Sequence, residues 1–182
     1  MATGLSAPLS AEKLAVYTGL SGDTSPLGSA IGDLAGAARS SDLASLDDAY
    51  HALFIGIGRG ELLPFGSYYL AGFLHEKPLA RLRQAMRELA IMRDPAVREP
   101  EDHIASVLEM MAGLIDGQFG DGRSGQPAEL QTQKGFFDAH VVSWAPHFFR
   151  DLSRTTASPF YAAIGRVGDV FLAIEKEAFD YV

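Results

Sequence analysis

The stretch Glu99-Pro100-Glu101-Asp102-His103-Ile104 opens the strongest helical pattern in the chain. Behind it, Ile104, Val107, Leu108, Met111, Leu114 and Ile115 recur at intervals of three and four, which predicts a helix with one buried face. Pro100 suits a first helical position, because its missing N–H costs nothing there and its φ is already helical. Glu99, Glu101 and Asp102 then crowd the positive end of the helix dipole, where carboxylates are favoured. Asp102 and His103 are therefore expected side by side at a helix mouth, although such carboxylates are ordinarily dipole partners and a single His is ordinarily packing.

The whole chain bounds the rest. Its 182 residues are enough for one domain that buries roughly 70% of its unfolded surface. A content of 47% hydrophobic and 21% charged residues is that of a globular protein rather than a disordered one. With no Cys there are no disulfides, thiolate nucleophiles or Cys-based metal sites, and a reducing cytoplasm is expected. A net charge of −8 argues against nucleic acid and for a basic peptide as partner. No run approaches the about 18 apolar residues of a membrane helix, and Met1 to Ser10 lacks the pattern of a signal peptide. No membrane insertion is expected.

Working outward, helical spacing prevails and no strand pair stands out. A first helix is expected from about Ser10 to Leu20, and a second opens at the cap-plus-proline pair Ser25-Pro26. A third follows Ser45 with Leu46, Tyr50, Leu53 and Phe54 on one side, and Gly56, Gly58 and Gly60 then make a turn. Pro64 to Leu70 leads a short aromatic helix, and Pro78 starts another. Gly117 to Gly125 reads as a flexible connector between helical halves. From Pro127 a long helix carries Phe136, Phe137, His140 and Trp144 and kinks near Pro146, and Ser158-Pro159 opens the last helix. The expectation is an all-α, single-domain bundle of roughly seven or eight helices spanning residues 1–182.

The chemistry-bearing residues say little by themselves. His51, His75, His103, His140 and His147 match no metal signature, and the glycine turn lacks a Walker lysine, so no metal or cofactor is expected. Ser67, His103 and Asp102 form a conceivable hydrolase set, but adjacent Asp and His on a helix turn point apart and rarely make a relay. Many aromatics, an acidic balance and polar helix mouths suit capture of an apolar peptide with a basic end, or a generic acidic adaptor.

The motifs, taken in order, resemble the TorD family of molecular chaperones, which includes DmsD- and NarJ-type members. The likeness rests on Tyr50-x-x-Leu53-Phe54, on Pro64-Phe65-Gly66-Ser67-x-Tyr69-Leu70, on Glu99-Pro100-Glu101-Asp102-His103 and on Phe136-Phe137-x-x-His140-x-x-x-Trp144. The closing Phe160-Tyr161 with Phe171-Leu172-x-x-Glu175 completes it. The resemblance implies an all-helical, non-enzymatic cytoplasmic chaperone without a cofactor of its own. Its expected partners are the twin-arginine signal peptide and the precursor of a molybdopterin-containing oxidoreductase, held back from Tat export until cofactor is inserted. Gly60–Tyr69 and Phe73–Leu79 are most similar to members serving formate dehydrogenases.

Carried over by position, Glu101, Asp102 and His103 match the signature where peptide-binding residues cluster. Pro64, Phe65, Ser67 and Tyr69 match a motif lining the same region, and Tyr50 and Phe54 match an apolar wall. Phe65 stands where many relatives have Tyr or Trp. Relatives usually begin with a longer aromatic–leucine-rich helix, and this chain is expected to start after it. Such a gap would expose core and favour a homodimer that exchanges halves through the glycine connector.

Overall fold

The computed structural model describes residues 2–56, 60–119 and 125–182. It is all-helical, and the described residues contain no strand beyond one isolated bridge. Contacts divide the chain into two compact units, residues 3–63 with 146–177, and residues 64–145 with 178–182.

The first unit holds α1 (Ala2–Leu5), α2 (Ala11–Thr18), α3 (Pro26–Arg39), α4 (Leu43–Tyr50) and a π turn, His51–Ile55. It also holds most of α9 (Ala145–Ser153) and α10 (Pro159–Asp180). Its helices start where the sequence supplies caps. Ser10 Oγ accepts from Lys13 N–H at 3.3 Å, and Ser25 Oγ from Gly28 N–H at 3.0 Å ahead of Pro26. Asp42 accepts from Ser45 N–H at 3.0 Å, so α4 begins at Leu43 rather than after Ser45. Here the cap residue, not the first apolar one, sets the start. The core is aromatic: Tyr17 meets Phe160 edge-on at 5.2 Å, and Phe148, Phe149 and Phe160 are fully buried. Two glycines let α9 and α10 meet. A Cβ on Gly165 would lie 2.3 Å from Ser153 N, and one on Gly168 would lie 2.2 Å from the Phe149 ring.

The second unit is built on α7 (Ile104–Ile115), packed with α8 (Leu130–Phe136) and a second π turn, Phe137–Val141. Ile104, Val107, Met111 and Leu114 are buried as the spacing predicts, each worth about 1.5–3 kcal/mol. Ile115, expected on that face, is 44% exposed. A separate pair, α5 (Gly66–Ala71) and α6 (Lys77–Glu88), packs together. The chain end returns to this unit, with Phe137 and Phe179 rings 4.9 Å apart and Lys134 Nζ donating to Phe179 O at 2.9 Å.

Two further expectations are corrected, and a third falls largely outside the described residues. Pro100 is not a first helical residue: residues 100–102 form a turn, His103 N–H donates to Pro100 O at 3.0 Å, and α7 starts only at Ile104. The helix expected from Pro127 is broken rather than kinked. Pro146 would clash with the carbonyl four residues back in a continuous helix, so the chain turns at 142–144 and Pro146 falls in the first turn of α9. The connector at 117–126 is described only at its ends, as residues 120–124 lie outside the described residues, as do Ile57, Gly58 and Arg59 of the glycine turn. Those ends are tied, Gly125 N–H donating to Gly117 O at 3.0 Å.

Helix α6 ends in a Schellman turn that uses the wrong residue. Ile91 N–H donates to Met86 O at 2.8 Å, and Ala90 occupies the left-handed position with φ 54°. A Cβ there costs energy that glycine avoids. Ala90→Gly should therefore raise stability by about 1 kcal/mol, read as a higher urea midpoint with unchanged m.

Candidate functional site

Three consecutive residues, Glu101, Asp102 and His103, each serve a different helix. Glu101 is buried and accepts from Arg83 of α6 through Nε at 3.0 Å and Nη2 at 2.8 Å. Arg93 Nη1 stands 3.6 Å from its other oxygen. Burial alone would raise the Glu101 carboxyl, but the Arg83 hydrogen bond, with Arg93 beyond it, holds it below the usual carboxylate range. Glu101 is thus an internally paired acid and not a free rim carboxylate.

Asp102, 3% exposed, reaches the start of α5, where its Oδ2 accepts from Ser67 N–H at 2.6 Å. It caps a helix to which it does not belong. Around it, Gly66 N–H donates to Asp102 O at 2.9 Å and Ile104 N–H to Pro64 O at 2.8 Å, a short antiparallel bridge centred on Phe65 and His103. Gly66 packs closely here, as a Cβ would lie 3.0 Å from Trp144 Nε1 and press on the indole. The bridge brings the two sequence motifs together: Pro64, Phe65 and Ser67 lie directly on Asp102 and His103. Tyr69 follows one turn on, its ring 5.8 Å from that of Trp144.

His103 caps its own helix, Nδ1 accepting from Ala105 N–H at 3.2 Å, while its ring meets Phe65 edge-on at 5.2 Å. Nδ1 is therefore the acceptor, which is the neutral tautomer. Burial drives the imidazole down to about 4, against the opposing pull of Glu99 and Asp102. Ser67 Oγ is fully buried and has no hydrogen-bond partner among the described residues. The Ser67–His103 bond that a hydrolase would need is not formed, and the His103 acceptor is spent on the α7 cap.

Asp102 lines a cavity of about 400 Å³ together with Leu70, Leu82, Val107, His140 and Trp144, with Arg81 and Glu88 also on its wall. Asp102 Oδ1 has no hydrogen-bond partner among the described residues. A buried carboxylate oxygen without a donor is costly, so it favours any ligand that brings one. His140 reaches this wall from the second π turn, a helical irregularity common at functional sites, and burial lowers its pKa. Helical spacing does not single out His140, because the π turn that places it has no signature of its own. Tyr50 and Phe54 stand in the first unit, their rings 5.1 Å apart and packed at 6.3 and 5.7 Å on buried Tyr161.

A family model described as the nitrate reductase delta subunit matches residues 21–150. The chain belongs to this family, that of the TorD-like chaperones. Chaperone protein TorD of Vibrio cholerae serotype O1 is 29% identical over 130 residues, covering 70% of this chain and 59% of the relative. The Tat proofreading chaperone DmsD of Salmonella typhi is 31% identical over 131 residues, covering 71% and 59%. The chain thus spans 59% of the length of these relatives, which are named as chaperones and not as enzymes. In fold it is similar to an Archaeoglobus fulgidus crystal structure assigned as a redox enzyme maturation protein, with TM-score 0.62, 19% identity, and 94% and 89% of the two chains covered. No described helix is long and apolar enough to cross a membrane.

The buried His103 links stability to pH. Between about 6.5 and about 4 the unfolded chain binds a proton at this residue and the folded one does not, so stability rises with pH across that window and is lost as pH falls through it. Urea midpoints should fall between pH 6.5 and 4, and His103→Asn, which keeps a capping acceptor but does not titrate, should flatten that fall.

Proposed function

We propose that this chain is a cytoplasmic chaperone that binds the twin-arginine signal peptide of a molybdenum-cofactor oxidoreductase precursor, and delays its Tat export until maturation. The single observation that carries the reading is Asp102: a buried carboxylate with one oxygen unpaired, beside a cavity with apolar walls. An arginine guanidinium supplies planar donors to such an oxygen, and a charge-assisted bond there is stronger than a neutral one. The apolar middle of a signal peptide would bury against Leu70, Leu82 and Trp144 at about 25 cal/mol per Å², before ordering costs. The names of the relatives, among them a Tat proofreading chaperone, support the same class of partner. The likeness of Gly60–Leu79 to members serving formate dehydrogenases makes that class of client our finer assignment.

Within this mechanism Asp102 is the contact, while Glu101 and His103 hold it in place through α6 and α7. Pro64, Phe65 and Ser67 fix the α5 start on which it rests. Asp102→Asn keeps an acceptor for Ser67 N–H and removes the charge, so the fold should survive. Titration with a twin-arginine peptide should show about tenfold weaker binding for Asp102→Asn, weaker binding again at high salt, and a preference over the Lys-Lys peptide. Equal affinity of both proteins for both peptides would refute the reading.

A further inference from the structure

A second cavity of about 390 Å³ lies in the same unit, between the end of α6, the 91–99 loop, α7 and Phe119. Three of the five methionines of the chain line it, Met86, Met92 and Met110, with Ile91, Val97 and Phe119 completing the apolar lining. Met92 is 88% exposed and Val97 41%, so the apolar surface runs out to solvent. Unbranched, polarisable thioethers adapt to irregular apolar partners, which is why methionine recurs on peptide-binding surfaces.

The charge on this groove is one-sided. Asp94, Glu99, Glu101 and Glu109 line it, against a single base, Arg93. Arg93 is consumed internally: it pairs with Glu101 and donates through Nη2 to the carbonyls of Val97, Arg98 and Glu99 at 3.0 to 3.3 Å. It thereby straps the loop along the groove edge, its N–H groups turned to the loop and to Glu101. Exposed Glu99 and Glu109 remain. A methionine surface with an acidic rim is complementary to an amphipathic helix that carries lysines or arginines beside its apolar face.

We propose that this groove is a second peptide-binding site, one that takes an apolar, basic-flanked helical segment of a protein partner, separate from the Asp102 cavity. Glu101 faces this groove while its neighbour Asp102 lines the other cavity, so two occupants can be held at separate cavities served by one pair of neighbouring residues. The assignment goes beyond the signal-peptide reading and does not depend on it.

The test uses the full chain labelled with 13C at the methionine methyls, titrated with a synthetic amphipathic Leu–Lys peptide and its Leu–Glu counterpart. The Leu–Lys peptide should shift the Met86, Met92 and Met110 methyls and leave Met111 in place, whereas the Leu–Glu peptide should not. Met92→Glu, at an exposed position that the fold does not need, should weaken Leu–Lys binding about tenfold, and Glu109→Lys should weaken it several-fold. Saturating twin-arginine peptide should leave this titration unchanged, and the methyl shifts should appear even if that peptide binds nowhere. Unmoved methyls, equal binding of the two synthetic peptides, displacement by the twin-arginine peptide, or shifts produced by raising the protein concentration alone would each overturn the proposal. The last outcome would assign the groove to a second copy of this chain.

Discussion

The second unit depends on one charge-assisted hydrogen bond, from Ser67 N–H to Asp102 Oδ2 at 2.6 Å. A carboxylate buried to this degree is costly alone, and it is tolerated because it meets the unsatisfied N–H groups at the start of α5. The cap is made across a sequence separation of 35 residues, which turns a local device for starting a helix into a tertiary clamp. The flanking backbone bonds, Gly66 to Asp102 and Ile104 to Pro64, fix the register of the clamp. Glu101 then ties in α6, and His103 starts α7.

The same clamp explains how acidic neighbours acquire opposite roles. Glu101 and Asp102 sit next to each other in the turn that precedes α7, yet they line different cavities. Two arginines neutralise the first, whereas the second keeps an oxygen without a donor. Charge count in the sequence treats them alike. Only the positions of Arg83 and Arg93 separate an acid that holds the fold from one that is short of a cation.

Much of the fold was legible because its signals are local. Ser10, Ser25, Pro26 and Pro159 mark helix starts through their own hydrogen-bonding or ring geometry, and α7 announces itself by its spacing. What escaped depends on residues far apart in the chain. The late start of α7 follows from the His103 cap and the bridge to Phe65, so Pro100 ends in a turn. The π turns have no signature beyond ordinary helical spacing. The left-handed Ala90 is invisible where a Gly would have been conspicuous. For the site, the meeting of Ser67 with Asp102 was anticipated from the family likeness and not from spacing, and the capture of Glu101 by arginines was not anticipated. The methionine groove was illegible for a simpler reason. Met86, Met92 and Met110 belong to a helix, a loop and another helix, and no periodicity joins them.

Net charge and local charge do separate work in such a molecule. A balance of −8 attracts any cationic segment, but the attraction between exposed charges is screened beyond about 8 Å at physiological ionic strength and treats arginine and lysine alike. Discrimination therefore has to arise where water is excluded and donor geometry matters. Asp102 meets that condition: it is buried, pinned through one oxygen so that it cannot rotate to suit an ammonium, and left with a second oxygen in a fixed direction. A guanidinium can present a planar N–H to such an acceptor while its face rests on an apolar wall, whereas an ammonium must give up a tighter hydration shell to enter. Rigidity at Asp102, the property that makes it a clamp for α5, is thus also what would let it tell one cation from another.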